Sequence, residues 1–216
     1  MPDIFDEVAE DLRAERTQKL LRRYGAVLVA AVVFVVAGVA GYEGWKKYSS
    51  GQINAQADAY LAAQQIADGP PGSRADALPK LAELAQSGNA GYRTLARLRE
   101  AALKVDANDL PAALTLWDQI AADSAADPIL RDYANLQWAL HQIDKGDPAL
   151  VSARLLPLTA GTGVWKALAQ EGQALLALRQ GQTDSARDIL RRLTVDPDAP
   201  QGVRNRATGL LQRLGS

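Results

Sequence analysis

Apolar residues along most of the chain recur at intervals of three and four, the period of an α-helix rather than the alternation of a strand. Tyr92, Leu95, Leu98, Ala102 and Leu103 form one such stripe, and Ala113, Leu116, Trp117, Ile120 and Ala121 form the next. Ile129, Tyr133, Leu136, Leu140 and Ile143 make a third, followed by Val151, Leu155 and Leu158. Val164, Leu168, Gly172, Leu175 and Leu176 come next, then Ala186, Ile189, Leu190 and Leu193, and last Val203, Ala207, Leu210, Leu211 and Leu214. Upstream, Ala75–Gln86 carries Leu78, Leu81 and Leu84. Gln52–Ala67 places Ile53, Ala57, Tyr60, Leu61 and Gln64 on one face. No Asn-Gly or Asp-Gly hairpin joins alternating segments. The expected fold class is all-α.

The breaks between stripes fall where helices must stop. DGPPGS at 68–73 holds two prolines that cannot continue a helical ladder. Asp127-Pro128 reads as a cap followed by proline at the first helical position, and Gly146-Asp147-Pro148 ends one helix and starts another. The turn landmarks Asn108, Gly146 and Gly181 are spaced 38 and 35 residues apart. Helix pairs recurring at roughly 34 residues are the tetratricopeptide signature. Small residues stand where paired helices cross: Ala101, Ala139 and Ala174 in first helices, Ala113 and Ala186 in second helices. A large residue, Trp117 or Leu190, follows four positions after the small one. The consensus tryptophan and tyrosine are out of register, so the repeats are degenerate. Such pairs bury their apolar faces only by stacking, so an α-solenoid is expected.

The N-terminal part breaks this pattern. Tyr24–Tyr42 reads YGAVLVAAVVFVVAGVAGY, nineteen residues without a charge. A hydrocarbon core of about 30 Å takes roughly 20 helical residues. The seven valines, Leu28 and Phe34 favour insertion by about 3–5 kcal/mol in total, before the cost of three glycines. Tyr24, Tyr42, Trp45 and Tyr48 stand at the two ends, where amphipathic rings favour the headgroup level. A transmembrane helix over 24–44 is therefore expected, with Tyr24, Val27, Val32, Phe34, Val39 and Tyr42 as its markers. Arg13, Arg16, Lys19, Arg22 and Arg23 precede it, and only Lys46 and Lys47 follow closely, which puts the N-terminus in the cytoplasm. Gly38-Val39-Ala40 imitates a signal cleavage site. A leader of 23 residues with six acidic side chains favours an uncleaved anchor instead. The leader, 1–23, spaces Ile4, Phe5, Val8, Leu12 and Leu20 helically, as a solvated helix or a docking peptide would. Gly38 and Gly41 permit helix packing in a bilayer, although their spacing is not that of GxxxG.

Composition mainly excludes. Lys and Arg number 24 against 25 Asp and Glu, which gives no electrostatic footprint for nucleic acid. Cysteine is absent, so disulfides, thiolate metal sites, thiol nucleophiles and a lipidated N-terminal cysteine are out. The single histidine, His141, sits between Leu140 and Gln142 with no serine nucleophile nearby in sequence, and reads as a partly exposed helix residue. Gly161-Thr162-Gly163 is a turn and cap rather than a phosphate cradle. Asp106, Asn108 and Asp109 lack the glycine and distal glutamate of a calcium loop. Asp196 and Asp198, split by Pro197, read as a turn. No cofactor, metal, small-molecule substrate or enzymatic constellation is expected. Trp117, Trp138 and Trp165 read as packing residues. Trp138 alone falls off the stripe of its helix and is the candidate partner surface.

The whole layout resembles the ancillary SecYEG translocon subunit family, whose tetratricopeptide-like domain is related to one also labelled cell division coordinator. The residues that carry the resemblance are Gly91-Tyr92, Leu95-Ala96 and Leu98, then Asn108-Asp109-Leu110 with Ala112-Ala113. Val164-Trp165, Gly172-Gln173-Ala174-Leu175-Leu176, Gly181 and Ala186-Arg187 continue it. The resemblance implies a bacterial inner-membrane protein with residues 45–216 in the periplasm, associated with the secretion channel and periplasmic chaperones. The expected function is a non-enzymatic, membrane-tethered protein-binding scaffold whose partners are proteins and the lipid bilayer. The alternative is a periplasmic scaffold for envelope or outer-membrane protein assembly that does not touch the translocon.

Overall fold

The computed structural model describes the backbone of residues 4–215 and the side chains of residue 31 and of residues 33–215. Among these, every regular element is helical. The chain divides into two compact units, Met1–Ala55 and Gln56–Ser216. Helix α1 runs over Ile4–Ala67. In the first unit its described apolar side chains stand in solvent, with Phe34 81% exposed and Val39 and Tyr42 also exposed. Among the described residues, no helix is long and apolar enough to cross a membrane. The side chains of residues 24–30 and 32, hence of Tyr24, Val27 and Val32, lie outside the described ones.

In the second unit the end of α1 is followed by a 3₁₀ turn, Arg74–Ala77, and by α2, Leu78–Ser87. One helix was expected over Ala75–Gln86. The tight turn at its start follows from the prolines at 70 and 71 and from Pro79 in the first turn of α2, which donates no N–H. Six further helices of similar length then alternate in direction: α3 Ala90–Asp106, α4 Leu110–Ala122, α5 Pro128–Gln142, α6 Pro148–Ala160, α7 Lys166–Arg179 and α8 Thr183–Val195. Helix α9, Gln201–Arg213, closes the stack. Each helix packs on the next, and α5 also touches α7, and α7 touches α9. First helices thus line one wall of a solenoid and second helices the other.

The boundaries come from local chemistry. Asn89, Asp109, Asp127 and Asp147 each accept a hydrogen bond from a backbone N–H at the start of α3, α4, α5 and α6. Proline follows directly at 128 and 148 and one residue later at 111, where its missing N–H costs nothing. Asn108 (φ 59°) and Gly181 (φ 75°) turn the chain in the left-handed region. Gly146, expected as their counterpart, does not share that conformation; its turn is closed by its N–H donating to Gln142 O at 2.8 Å. Val164 lies outside α7 and is exposed, because the helix starts at Lys166.

The core is a row of apolar clusters rather than one centre. Ala63, Ala67, Leu81, Leu84 and Leu103 form the first. The sequence placed Leu61 on this face, but Leu61 is 56% exposed. The small Ala63 and Ala67 take the contact, because they admit the next helices closely. Ala101, Ala113, Trp117, Ile120 and Ala134 form the second cluster, with Leu136, Val151, Leu155 and Leu176 in the third. Leu190, Leu193, Val203 and Ala207 belong to the last. Trp138 packs against both the second and third clusters, and Leu168 against both the third and the last. The five alanines expected at helix crossings are all fully buried.

Gly172 marks the closest approach. A Cβ there would lie 3.1 Å from Leu140 Cδ2 and 3.4 Å from Leu155 Cδ1, so three helices meet over a hydrogen atom. Replacing Gly172 with Val is expected to cost about 1–3 kcal/mol by overpacking, read as a lowered thermal midpoint.

Candidate peptide-binding groove

Between α3 and α5 the inner wall opens. Leu98, Ala102 and Val105 recur every three to four residues along α3, and Tyr133, Gln137 and His141 every four along α5. Trp117 from α4, almost fully buried, is the floor. Together they bound a cavity of about 160 Å³ with Asp106 at its rim. The His141 ring lies 4.8 Å from that of Trp117, tilted by 37°. Its Nδ1 is 2.8 Å from Gln137 O. A carbonyl only accepts, so Nδ1 carries hydrogen and Nε2 is the ring's remaining polar atom. A second depression of about 170 Å³ lies on the other side of the α3 end, lined by Pro71, Arg74, Leu78, Leu103 and Ala107, and shares Asp106. Asp106 is only loosely held, 3.7 Å from Arg74, with both side chains about half exposed.

The other first-helix junctions are tied shut. Between α5 and α7, Tyr133 stacks on Trp165 at 4.9 Å, and Trp165 Nε1 donates to Ile129 O at 2.9 Å. At the other end Arg179 donates to Ile143 O and Gly146 O, each at 2.7 Å. Between α7 and α9, Arg206 donates two hydrogen bonds of 2.6 Å to the buried Glu171. That pairing raises the Arg206 pKa further. Helix α3 makes its ties elsewhere: Arg99 pairs with Asp68 and Asn89 N–H donates to Gln56 Oε1 at the end of α1, while Arg93 and Arg97 both reach Asp123 at the α4 end. Desolvation acts to raise the Asp123 carboxyl, but the Ala125 amide and the two arginines outweigh it and hold it below the usual range. The α3–α5 junction is thus left free to accept a side chain from elsewhere.

Trp138, singled out in the sequence, lies one residue beyond Gln137 and is half-buried. Arg154 lies 4.2 Å over its ring, donates to Asn135 Oδ1 at 3.1 Å and pairs with Asp118. The sequence reading missed Leu98, Ala102, Val105, Tyr133 and Gln137 as site residues. Their stripes were visible, but a stripe does not tell which junction stays open. A third depression, of about 230 Å³, joins Thr162, Gly163 and Lys166 to Asp196 and Asp198. Two carboxylates facing a helix start disfavour an anion there, which fits the reading of Gly161–Gly163 as a turn. Among the described residues no three His, Asp or Glu side chains gather for a metal.

Comparison with known proteins agrees with the helical stack. The model of a tetratricopeptide repeat-like domain matches residues 18–193. The ancillary SecYEG translocon subunit of Escherichia coli (strain K12) is 31% identical over 182 residues, covering 82% of this chain and 84% of that protein. No solved structure matches the chain.

Removing Arg206 tests how far the ties hold the stack. Glu171 is only 7% exposed, so Arg206→Ala leaves its carboxylate without a partner. Because Arg206 itself is half exposed, the expected cost is about 1–3 kcal/mol in denaturant melts, partly recovered by adding Glu171→Gln.

Proposed function

The chain belongs to the tetratricopeptide repeat-like family of the ancillary SecYEG translocon subunit, and from that premise we propose that it is a membrane-tethered, non-enzymatic scaffold beside the Sec channel. The observation that carries this reading is the groove between α3 and α5, the one inner-wall junction without a tie among the described residues. Its walls are aliphatic and aromatic, its floor is an indole, and its polar groups are few and placed at the rim. That is the chemistry of a site for an apolar anchor side chain of a protein partner. Its volume suits one side chain rather than a metabolite.

The tether is the run from Tyr24 to Tyr42. It lacks charge, fits the thickness of a bilayer, and its described members stand in solvent along α1. With the arginine-rich leader inside, residues 45–216 face the periplasm. Tethering confines the groove to the membrane surface and raises its effective concentration near a membrane channel. In this mechanism, exported chains leaving the channel meet the groove through an apolar side chain. They are held weakly and pass to soluble periplasmic chaperones. Weak holding follows from one small anchor pocket with no charge pairing at its base.

The tether and the groove are tested separately. Val33→Arg combined with Val36→Arg places two charges in the span, at about 2.5–3.5 kcal/mol each, against the roughly 3–5 kcal/mol that favours insertion. The variant is expected in the soluble fraction, with the parent in the membrane fraction; equal partition overturns the tether. For the partner contacts, photoreactive residues go at Val39 in the span and at Trp138 beside the groove, with Ala102→Arg in the groove as the blocking variant. Crosslinks from Val39 to a channel subunit support the translocon assignment. Lipid adducts alone at Val39, with Trp138 joined to envelope-assembly proteins, move the protein away from the channel. Ala102 lines the groove and is exposed, so Ala102→Arg is expected to cut groove-dependent crosslinks about tenfold at unchanged thermal midpoint.

A further inference from the structure

Among the second helices, the outward face of α6 is unlike the others. Helix α4 exposes Thr115, Asp118 and Gln119, and α8 exposes Asp184, Asp188, Arg191 and Arg192. Helix α6 exposes Ala149, Leu150, Ala153, Leu156, Pro157 and Ala160, with Ser152 as the lone polar residue. Leu150 and Leu156 are 55% and 59% exposed. The one charged side chain of α6, Arg154, is folded back onto Trp138, Asn135 and Asp118. The opposite face is already used, with Val151, Leu155 and Leu158 in the core. A helix apolar on all sides is normally covered on all sides.

The order of residues on this face indicates what covers it. Leu150 and Leu156 stand three residues before and after Ala153, and Ala149 and Pro157 stand four. The face is therefore close to symmetric about Ala153. Two such helices crossing antiparallel at Ala153 place each Leu150 against the other copy's Leu156, with the small residue at the crossing. Antiparallel dipoles favour that arrangement, and no charge on either face is desolvated. Pro157 has no N–H, so the Ala153 carbonyl lacks its helical donor and is open to an outside one. We propose that α6 is the contact between two copies of this chain, related by a two-fold axis at Ala153. A symmetric contact of this kind pairs each residue with its mirror position. One helix face about 20 Å long is small against the roughly 800 Å² per partner of a standard interface. The contact therefore rests on the tether proposed above, which keeps copies in one plane at high effective concentration.

The chain has no cysteine, so a single introduced thiol reports one position. Full-length Ala153→Cys is oxidised mildly in membranes, beside Ser185→Cys on the outward face of α8 as the comparison. A disulfide-linked homodimer is expected at 153 in at least about tenfold excess over 185. Leu150→Cys and Leu156→Cys, co-expressed with different tags, are expected to join each other more than themselves. Adding Leu156→Glu to Ala153→Cys is expected to lower the dimer about tenfold with no change in melting, since the side chain is exposed. Equal yields at 153 and 185 overturn the proposal. So does a photoreactive residue at 153 that joins lipid or a polypeptide of another mass instead of a second copy. Fractionation of the same samples reports the tether, so loss of the membrane anchor and loss of the α6 contact are read apart.

Discussion

Close approach of helices at alanine and glycine is the constraint on which the stack depends. Ala101, Ala113, Ala139, Ala174 and Ala186 have no exposed surface, and Gly172 leaves no room for a methyl group without displacing Leu140. Only where backbones come this near can the large neighbours, Trp117 and Leu190, reach across and fill the space between layers. The solenoid has no common centre, so each cluster is small. Their continuity rests on Trp138 and Leu168, which belong to two clusters each. A set of short helices, none able to hide its apolar face alone, becomes one body through these shared side chains.

A second layer of order lies on top of the apolar one. Four polar ties between repeats join residues 35 or 36 apart in sequence: Asp118 to Arg154, Ile129 to Trp165 and Ile143 to Arg179 at 36, and Glu171 to Arg206 at 35; Gly146 to Arg179 and Gln56 to Asn89 span 33, and Asp68 to Arg99 spans 31. The first helices start at Ala90, Pro128, Lys166 and Gln201, so the repeat is 38, 38 and 35 residues long against about 34 for the usual tetratricopeptide unit. The groove exists because the ties skip one junction: Asn89 N–H to Gln56 Oε1 and Arg99 to Asp68 fasten α3 to the end of α1. Helix α3 spends Arg93 and Arg97 on the cap of α4, and nothing of the kind bridges it to α5 among the described residues. Openness at one junction and closure at the next two are thus the same pattern of arginine placement seen from two sides.

Much of this was legible in the sequence. The helices, the cap at Asp127, the break at Gly146-Asp147-Pro148 and the small residues at crossings follow from spacing and from capping chemistry that acts locally. The contact face of the last turns of α1 did not: hydrophobicity favoured Leu61, while the packing distance selected Ala63 and Ala67. The turn at Gly146 looked equivalent to those at Asn108 and Gly181, but glycine permits a left-handed conformation without requiring it. The groove was least legible. Its side chains lie on ordinary stripes, and what makes it a groove is a tie that is missing between two helices, a property of pairs of residues far apart. Trp138 drew notice for the right reason, being off its stripe, yet an off-stripe indole in a solenoid can face the next layer as readily as solvent.

The row of separate clusters also bears on how the domain comes apart. In a chain of nearest-neighbour contacts, unfolding need not be all-or-none, and segments separate where coupling is weakest. By its lack of a first-helix tie, the α3–α5 junction is such a place. The apolar cluster of Ala101, Trp117 and Ala134 already joins the two segments, and a side chain seated in the groove would add to it the coupling that a polar tie supplies at the next junctions. Occupancy would then be felt as mechanical continuity along the whole solenoid, so that a filled groove and an empty one differ in how force or heat travels from α2 to α9.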